Sequence, residues 1–141
     1  MELNYYNTLI AVADDCPVAS AEVPPFRGAT KTVAAVQYEL LAEDPYTLTQ
    51  EDILFESWFR RQDFRHQPGE EEKAELHREF FAKPRACLRS SPLPKRYGWG
   101  LAFDSDGKVA LCAMDSEEYR RLRQGEVPGV TIIKAMRTRR A

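Results

Sequence analysis

Residues 97–114 restrict the fold more than any other stretch of this chain, because they spell a β-hairpin with few ways to close it. Tyr97, Trp99, Leu101 and Phe103 alternate with Gly98, Gly100 and Ala102. Val109, Leu111 and Ala113 alternate with Lys108, Ala110, Cys112 and Met114. A two-residue period is that of strands, whose successive side chains point to opposite faces. Asp104-Ser105-Asp106-Gly107 between the two runs is a turn signal. A two-residue loop would set Phe103 opposite Lys108 and Trp99 opposite Cys112. A three-residue loop, Ser105-Asp106-Gly107, pairs Phe103 with Val109, Leu101 with Leu111 and Trp99 with Ala113. It also puts glycine at the left-handed position such loops require. The second register is the expected one.

The other elements are placed around this hairpin. Thr8 to Ala13 is an apolar run of β character that ends at Asp14-Asp15-Cys16-Pro17. Val33, Val36, Gln37, Leu40 and Leu41 follow helical spacing with one polar interruption, and Asp44-Pro45 ends that helix. Thr49 caps a second helix with the face Leu54, Phe55, Trp58 and Phe59. Glu70-Glu71-Glu72 opens a third, with Leu76, His77, Phe80 and Phe81 on one face, and Pro84 closes it. These helical aromatics fit core packing better than a pocket lining. Asp115-Ser-Glu-Glu118 forms a capping box for a short helix stopped at Gly125, and Val130 to Met136 is the last strand.

Strand, three helices, strand, strand, helix, strand is the order of one α+β domain covering residues 1–141. It predicts an antiparallel sheet of about four strands with helices packed on it. The arrangement is an elaborated ferredoxin-like βαββαβ order with two extra helices in the first crossover. A chain of 141 residues has the size of a single domain. Its apolar runs are far too short to span a bilayer, so no membrane is expected. Three cysteines without a Cys-x-x-Cys argue against a disulfide framework, and Met1 to Asn7 lacks the pattern of a signal peptide. The expected compartment is the cytoplasm.

The net charge of -2 conceals an imbalance. Residues 1–84 carry 8 Lys and Arg against 16 Asp and Glu, and residues 85–141 carry 12 against 6. Either the two halves attract each other within one fold, or the basic half meets an anionic small molecule or a protein partner. The basic half contains the chain's most unusual segment, Ser-Ser-Pro-Leu-Pro-Lys-Arg-Tyr-Gly-Trp-Gly at 90–100. Its prolines hold the lead-in extended. Arg89, Lys95 and Arg96 suit a phosphate or carboxylate. Gly98 and Gly100, on one strand face, admit a flat ligand or a packed helix. These five residues make the candidate ligand-binding site, with the packed helix as the competing reading. Nothing in them names a reaction.

Other chemistry is weaker. Arg96-Tyr97-Gly98-Trp99-Gly100 matches part of an RNA-recognition consensus, and a single-stranded nucleic-acid site with Arg137 to Arg140 is an alternative. The match breaks at Arg96 and Gly100, and the hairpin register turns the aromatics toward the core. As an enzyme, the chain would rely on Cys87, between Arg85 and Arg89, or on Asp14 and Asp15 at a strand end. His66 and His77 have no partner at metal-ligand spacing, and no Walker or Rossmann glycine pattern occurs, so no metal or cofactor is expected.

Several stretches together resemble a known family. They are Asp15-Cys16-Pro17, Lys31-Thr32-Val33-Ala34, Gln37-Tyr38-Glu39-Leu40-Leu41, Ser91-Pro92-Leu93, Lys95-Arg96-Tyr97-Gly98-Trp99-Gly100, Ser116-Glu117-Glu118-Tyr119 and Lys134-Ala135-Met136-Arg137. The chain is similar over nearly its full length to small stand-alone proteins, mostly bacterial, that carry a domain of unknown function. The resemblance implies one complete domain. It carries no activity, cofactor or site residue.

Overall fold

A computed structural model describes residues 4–25 and 32–137. Strand β1 (Thr8–Ala11) leads to helices α1 (Val33–Glu43), α2 (Gln50–Phe59) and α3 (Glu70–Phe81). A 3-10 turn (Leu88–Ser90) and a short helix α4 (Pro92–Arg96) follow. The chain then forms the hairpin β2 (Trp99–Phe103) and β3 (Val109–Ala113), helix α5 (Glu117–Arg123) and strand β4 (Thr131–Lys134). No helix among the described residues is long and apolar enough to cross a membrane.

The hairpin closes in the expected register, with Phe103 opposite Val109, Leu101 opposite Leu111 and Trp99 opposite Ala113. Gly107 takes a φ of 79°, the left-handed conformation the three-residue loop needs. Asp104 fastens that loop, its Oδ1 accepting the backbone N–H groups of Asp106 and Lys108, each at 2.9 Å.

The sheet itself departs from the expectation. Its order is β3-β2-β1-β4, with β1 antiparallel to β2 but parallel to β4. It is therefore mixed, whereas a ferredoxin-like sheet is antiparallel throughout. The strands and the long helices follow one another along the chain as expected, but that succession does not set strand direction or sheet order. The first crossover contains the 3-10 turn and α4 beyond the three expected helices, so the chain enters β2 from the end at which β1 finished. β3 and β4 both run parallel to β1, and α5 makes the crossover that parallel strands require.

Alternation along the strands divides the interior in two. Ile10, Leu101, Phe103 and Val109 point to the side covered by α1, α2 and α4, where they join Val36, Leu40, Leu41, Ile53, Leu88 and Leu93 in the main core. Leu9, Ala11, Ala102 and Cys112 point to the other side and meet Tyr119 and Leu122 of α5. A third cluster, Phe55, Phe59 and Phe80, joins α2 to α3. The helical aromatics are therefore packing groups, with the rings of Phe55 and Phe80 5.8 Å apart and nearly perpendicular.

Helix ends follow their local chemistry. Thr49 and Asp52 form a reciprocal capping box on α2. On α5 the cap is Ser116, one residue later than expected; its hydroxyl accepts the Tyr119 N–H, and Asp115 instead accepts the Ala21 N–H at 3.1 Å. Gln37, the polar interruption of the first helical stripe, is buried and accepts a 2.6 Å hydrogen bond from Ser91. A second buried amide, Gln50, accepts the Leu88 N–H at 2.7 Å. Both amides anchor the segment that delivers β2.

Candidate functional site

The 88–100 segment folds more tightly than an extended lead-in. Ser91 caps α4 by accepting the Leu93 N–H, while its own hydroxyl donates to Gln37. Pro92 occupies the first helical turn, where no N–H is needed and the ring presets φ. Leu93 and Pro94 are fully buried, and the Pro94 carbonyl accepts the Ala13 N–H at 2.9 Å. The prolines thus start a helix and fill core space.

Gly98 precedes the strand and has a φ of 78°, so it does not share a strand face with Gly100. A Cβ there would lie 2.9 Å from the Met114 sulfur and 3.1 Å from the Ser20 carbonyl oxygen. At Gly100 it would lie 2.9 Å from the Tyr119 ring and 3.2 Å from the carbonyl oxygens of Ile10 and Cys112. The space beside each glycine is therefore filled, by the 18–20 segment and by α5 respectively. A packed helix occupies the place a flat ligand would take at Gly100.

The three cations separate. Arg89 Nε donates to the Lys134 carbonyl at 2.8 Å and the Arg89 carbonyl accepts the Met136 N–H, which binds this residue to the end of β4. Lys95 and Arg96 stand on the last turn of α4. With Ser90 and Tyr97 they border a groove of about 360 Å³ whose far wall is the start of α1, from Thr32 to Ala34. The first turns of α2, α3 and α5 carry acidic residues, whereas that of α1 carries none. A helix start is electropositive, and here it lies near two cations that form no ion pair among the described residues.

Trp99 is held in place. Its indole N–H donates to the Glu22 carbonyl at 2.8 Å, its ring lies 5.5 Å from that of Tyr38, and it packs against the main core. Of the basic tail, Arg137 pairs with Asp14, and residues 138–141 lie outside the described residues, as does Lys31.

The thiols and acids differ in setting. Cys87 accepts a 3.4 Å hydrogen bond from the Tyr5 hydroxyl; burial, then the bond to Cys87, pushes the Tyr5 phenol up to about 12. Cys112 is buried, and that burial, with Glu118 nearby, pushes its thiol up to about 11, so it remains protonated at neutral pH. Asp14 joins the end of β1 to the end of β4 through Lys134 at 3.0 Å and Arg137 at 3.4 Å. The hydrogen bond from Lys134 is the main reason its carboxyl lies below the ordinary range. Among the described residues no three His, Cys, Asp or Glu side chains gather into a cluster able to hold a metal ion.

A larger concavity, about 710 Å³, opens on the α5 side of the sheet and is bordered by Tyr46, Asp104, Glu118 and Arg121. The sequence marked none of them as a site: Asp104 read as a turn residue and Glu118 as part of a helix cap, while Tyr46 and Arg121 carried no signal. The signal was indirect: small residues along one strand face, and a partner helix of only seven residues.

No curated protein and no solved structure matches the chain. A family model described as "Family of unknown function (DUF6157)" matches residues 1–141. The match covers the whole chain, which therefore belongs to that family of unknown function.

Proposed function

We propose that the protein is a non-catalytic binding domain that takes an anionic group in the groove between α4 and the start of α1. The observation that carries this reading is the placement of Lys95 and Arg96 opposite a helix start with no acidic residue in its first turn. Guanidinium and ammonium donors can engage phosphate or carboxylate oxygens, and the helix dipole adds to the same field. Ser90 and Tyr97 on the wall add polar groups for orientation. Arg89 serves β4 and lies outside this groove, and Gly98 and Gly100 contribute by letting the segment pack closely. A cytoplasmic setting, with its phosphorylated metabolites and proteins, suits such a site.

The test is a thermal-shift panel of inorganic phosphate, pyrophosphate and small dicarboxylates at low salt. At least one anion is expected to raise the melting temperature, and Lys95→Ala with Arg96→Ala together should remove the rise. An unresponsive wild-type protein, or a double variant that responds equally, overturns the reading.

A further inference from the structure

The concavity on the α5 side has a different chemistry from the α1–α4 groove. Its apolar floor is formed by Ala102 of β2, Leu122 of α5, and Val127 and Val130 from the chain between α5 and β4. Its rim carries two carboxylates, Asp104 and Glu118, one guanidinium, Arg121, and the phenol of Tyr46. The volume of about 710 Å³ lies in the range of small-molecule sites.

The rim charges are only partly spent on the fold. Glu117, next to Glu118, pairs with Arg120, which also meets Glu126 at 2.7 Å. That network leaves Glu118 and Arg121 without an ion pair among the described residues, although they stand one turn apart on α5. Asp104 uses Oδ1 for both of its turn hydrogen bonds, so Oδ2 is not used there. Two carboxylates against one guanidinium make the rim electronegative. Burial chiefly, and then Glu118 with smaller contributions from Cys112 and Asp104, push the Tyr46 phenol up, so it is a neutral aromatic at neutral pH.

Tyr46 is also held in an unusual backbone conformation. Its φ is 56°, in the left-handed region that bulky residues avoid, and its N–H donates to the Val109 carbonyl at 2.9 Å. Asn7, φ 46°, is the other non-glycine residue with positive φ among the described residues, and it borders the same concavity. Such conformations persist where the surroundings impose them.

We propose that this concavity binds a small amphipathic organic cation, its apolar body on the Ala102–Leu122–Val130 floor and its ammonium group among Tyr46, Glu118 and Asp104. A neutral aromatic face and carboxylates together recognise an ammonium group through cation–π attraction and charge-assisted hydrogen bonds. A carboxylate-bearing ligand of the same shape would meet the two acids and is disfavoured.

The test compares three probes of matched shape, phenethylamine, 2-phenylethanol and 3-phenylpropionate, by calorimetry and backbone NMR on the full chain. The amine is expected to bind at least about tenfold tighter than the alcohol, with shifts centred on residues 102–105 and 118–130. Glu118→Gln, a change on an exposed helix face that should leave the melting temperature near wild type, should erase most of that preference, and Tyr46→Ala should weaken it further. Arg96→Ala should leave amine binding unchanged, which separates this site from the α1–α4 groove. Equal binding of amine and alcohol, tighter binding of the carboxylate, no binding of any probe, or a Glu118→Gln protein that still prefers the amine would each overturn the proposal.

Discussion

The two faces of the sheet are built by opposite means. On one, large side chains such as Ile10, Leu101, Phe103 and Val109 meet three helices, and nearly every residue of the resulting core is closed to solvent. On the other, Leu9 is the one large residue among Ala11, Gly100, Ala102 and Cys112 of β1 to β3, and a single helix, α5, lies close to that shallower surface. Seven residues make a helix about 10 Å long, while four strands at about 4.8 Å spacing span roughly 15–20 Å. One helix cannot cover that sheet. The helical face is therefore saturated by packing, and the α5 face keeps an open concavity beside its helix. One side of the sheet is closed by packing, and the other leaves open space beside its helix.

The largest expected effect tests that division directly. Leu101 is fully buried on the helical face, and Leu122 is nearly so but borders the concavity. Leu101→Ala should cost about 3–5 kcal/mol, because the surrounding close-packed core cannot collapse into the space left behind. Leu122→Ala should cost about 2 kcal/mol, since part of its neighbourhood is already open. Urea denaturation of both variants gives the comparison. Equal losses would mean that the α5 face is packed as fully as the helical one, and the contrast would fail.

A smaller effect addresses how α5 reaches the sheet. Gly100→Ala places a methyl group 2.9 Å from the Tyr119 ring. The expected cost is about 1–3 kcal/mol, the usual penalty for overfilling a packed site. Tyr119 cannot retreat freely, because its hydroxyl accepts the Val12 N–H at 3.0 Å. In a Tyr119→Ala background the same methyl group should cost at least about 1 kcal/mol less. Additive costs would assign the constraint at Gly100 to the strand carbonyls of Ile10 and Cys112 rather than to α5.

This glycine also shows where the sequence was legible. Alternation and turn chemistry are local, so the hairpin register, the helices other than α4 and most of their ends could be read from residues close in the chain. Gly100 was readable as a place of close approach, but what approaches is set by an element near residue 119. Gln37 read as an interruption because its partner, Ser91, lies 54 positions away. Strand direction failed for the same reason: whether β2 runs with or against β1 depends on how the 88–96 segment turns, and its prolines read as extended. The candidate cations were found as residues but not as a set. Lys95 and Arg96 stay together on α4, while Arg89 is drawn to a backbone carbonyl of β4 that no local pattern announces. The concavity was the least legible feature, since it arises from a mismatch between helix length and sheet width and its rim residues lie on three separate segments.

The smallest expected effect concerns the edge that both faces share, where β4 lies parallel to β1. Asp14, Lys134 and Arg137 link the two strand ends on the protein surface. Exposed ion pairs contribute little, because water and salt screen them. The folded state nevertheless holds the Asp14 carboxyl below its ordinary 3.8, chiefly through the Lys134 hydrogen bond. A depressed carboxylate pKa stabilises the fold above the unfolded value and loses that contribution as pH falls through the folded value. Asp14→Asn should therefore melt slightly below wild type at pH 7, and the gap should close as pH drops below 3.8. Added salt at pH 7 should narrow the same gap. A gap that persists unchanged at low pH would make Asp14 a packing or turn residue instead of a charge clamp. The shared edge would then rest on β1–β4 backbone pairing and on the Arg89 contacts to Lys134 and Met136.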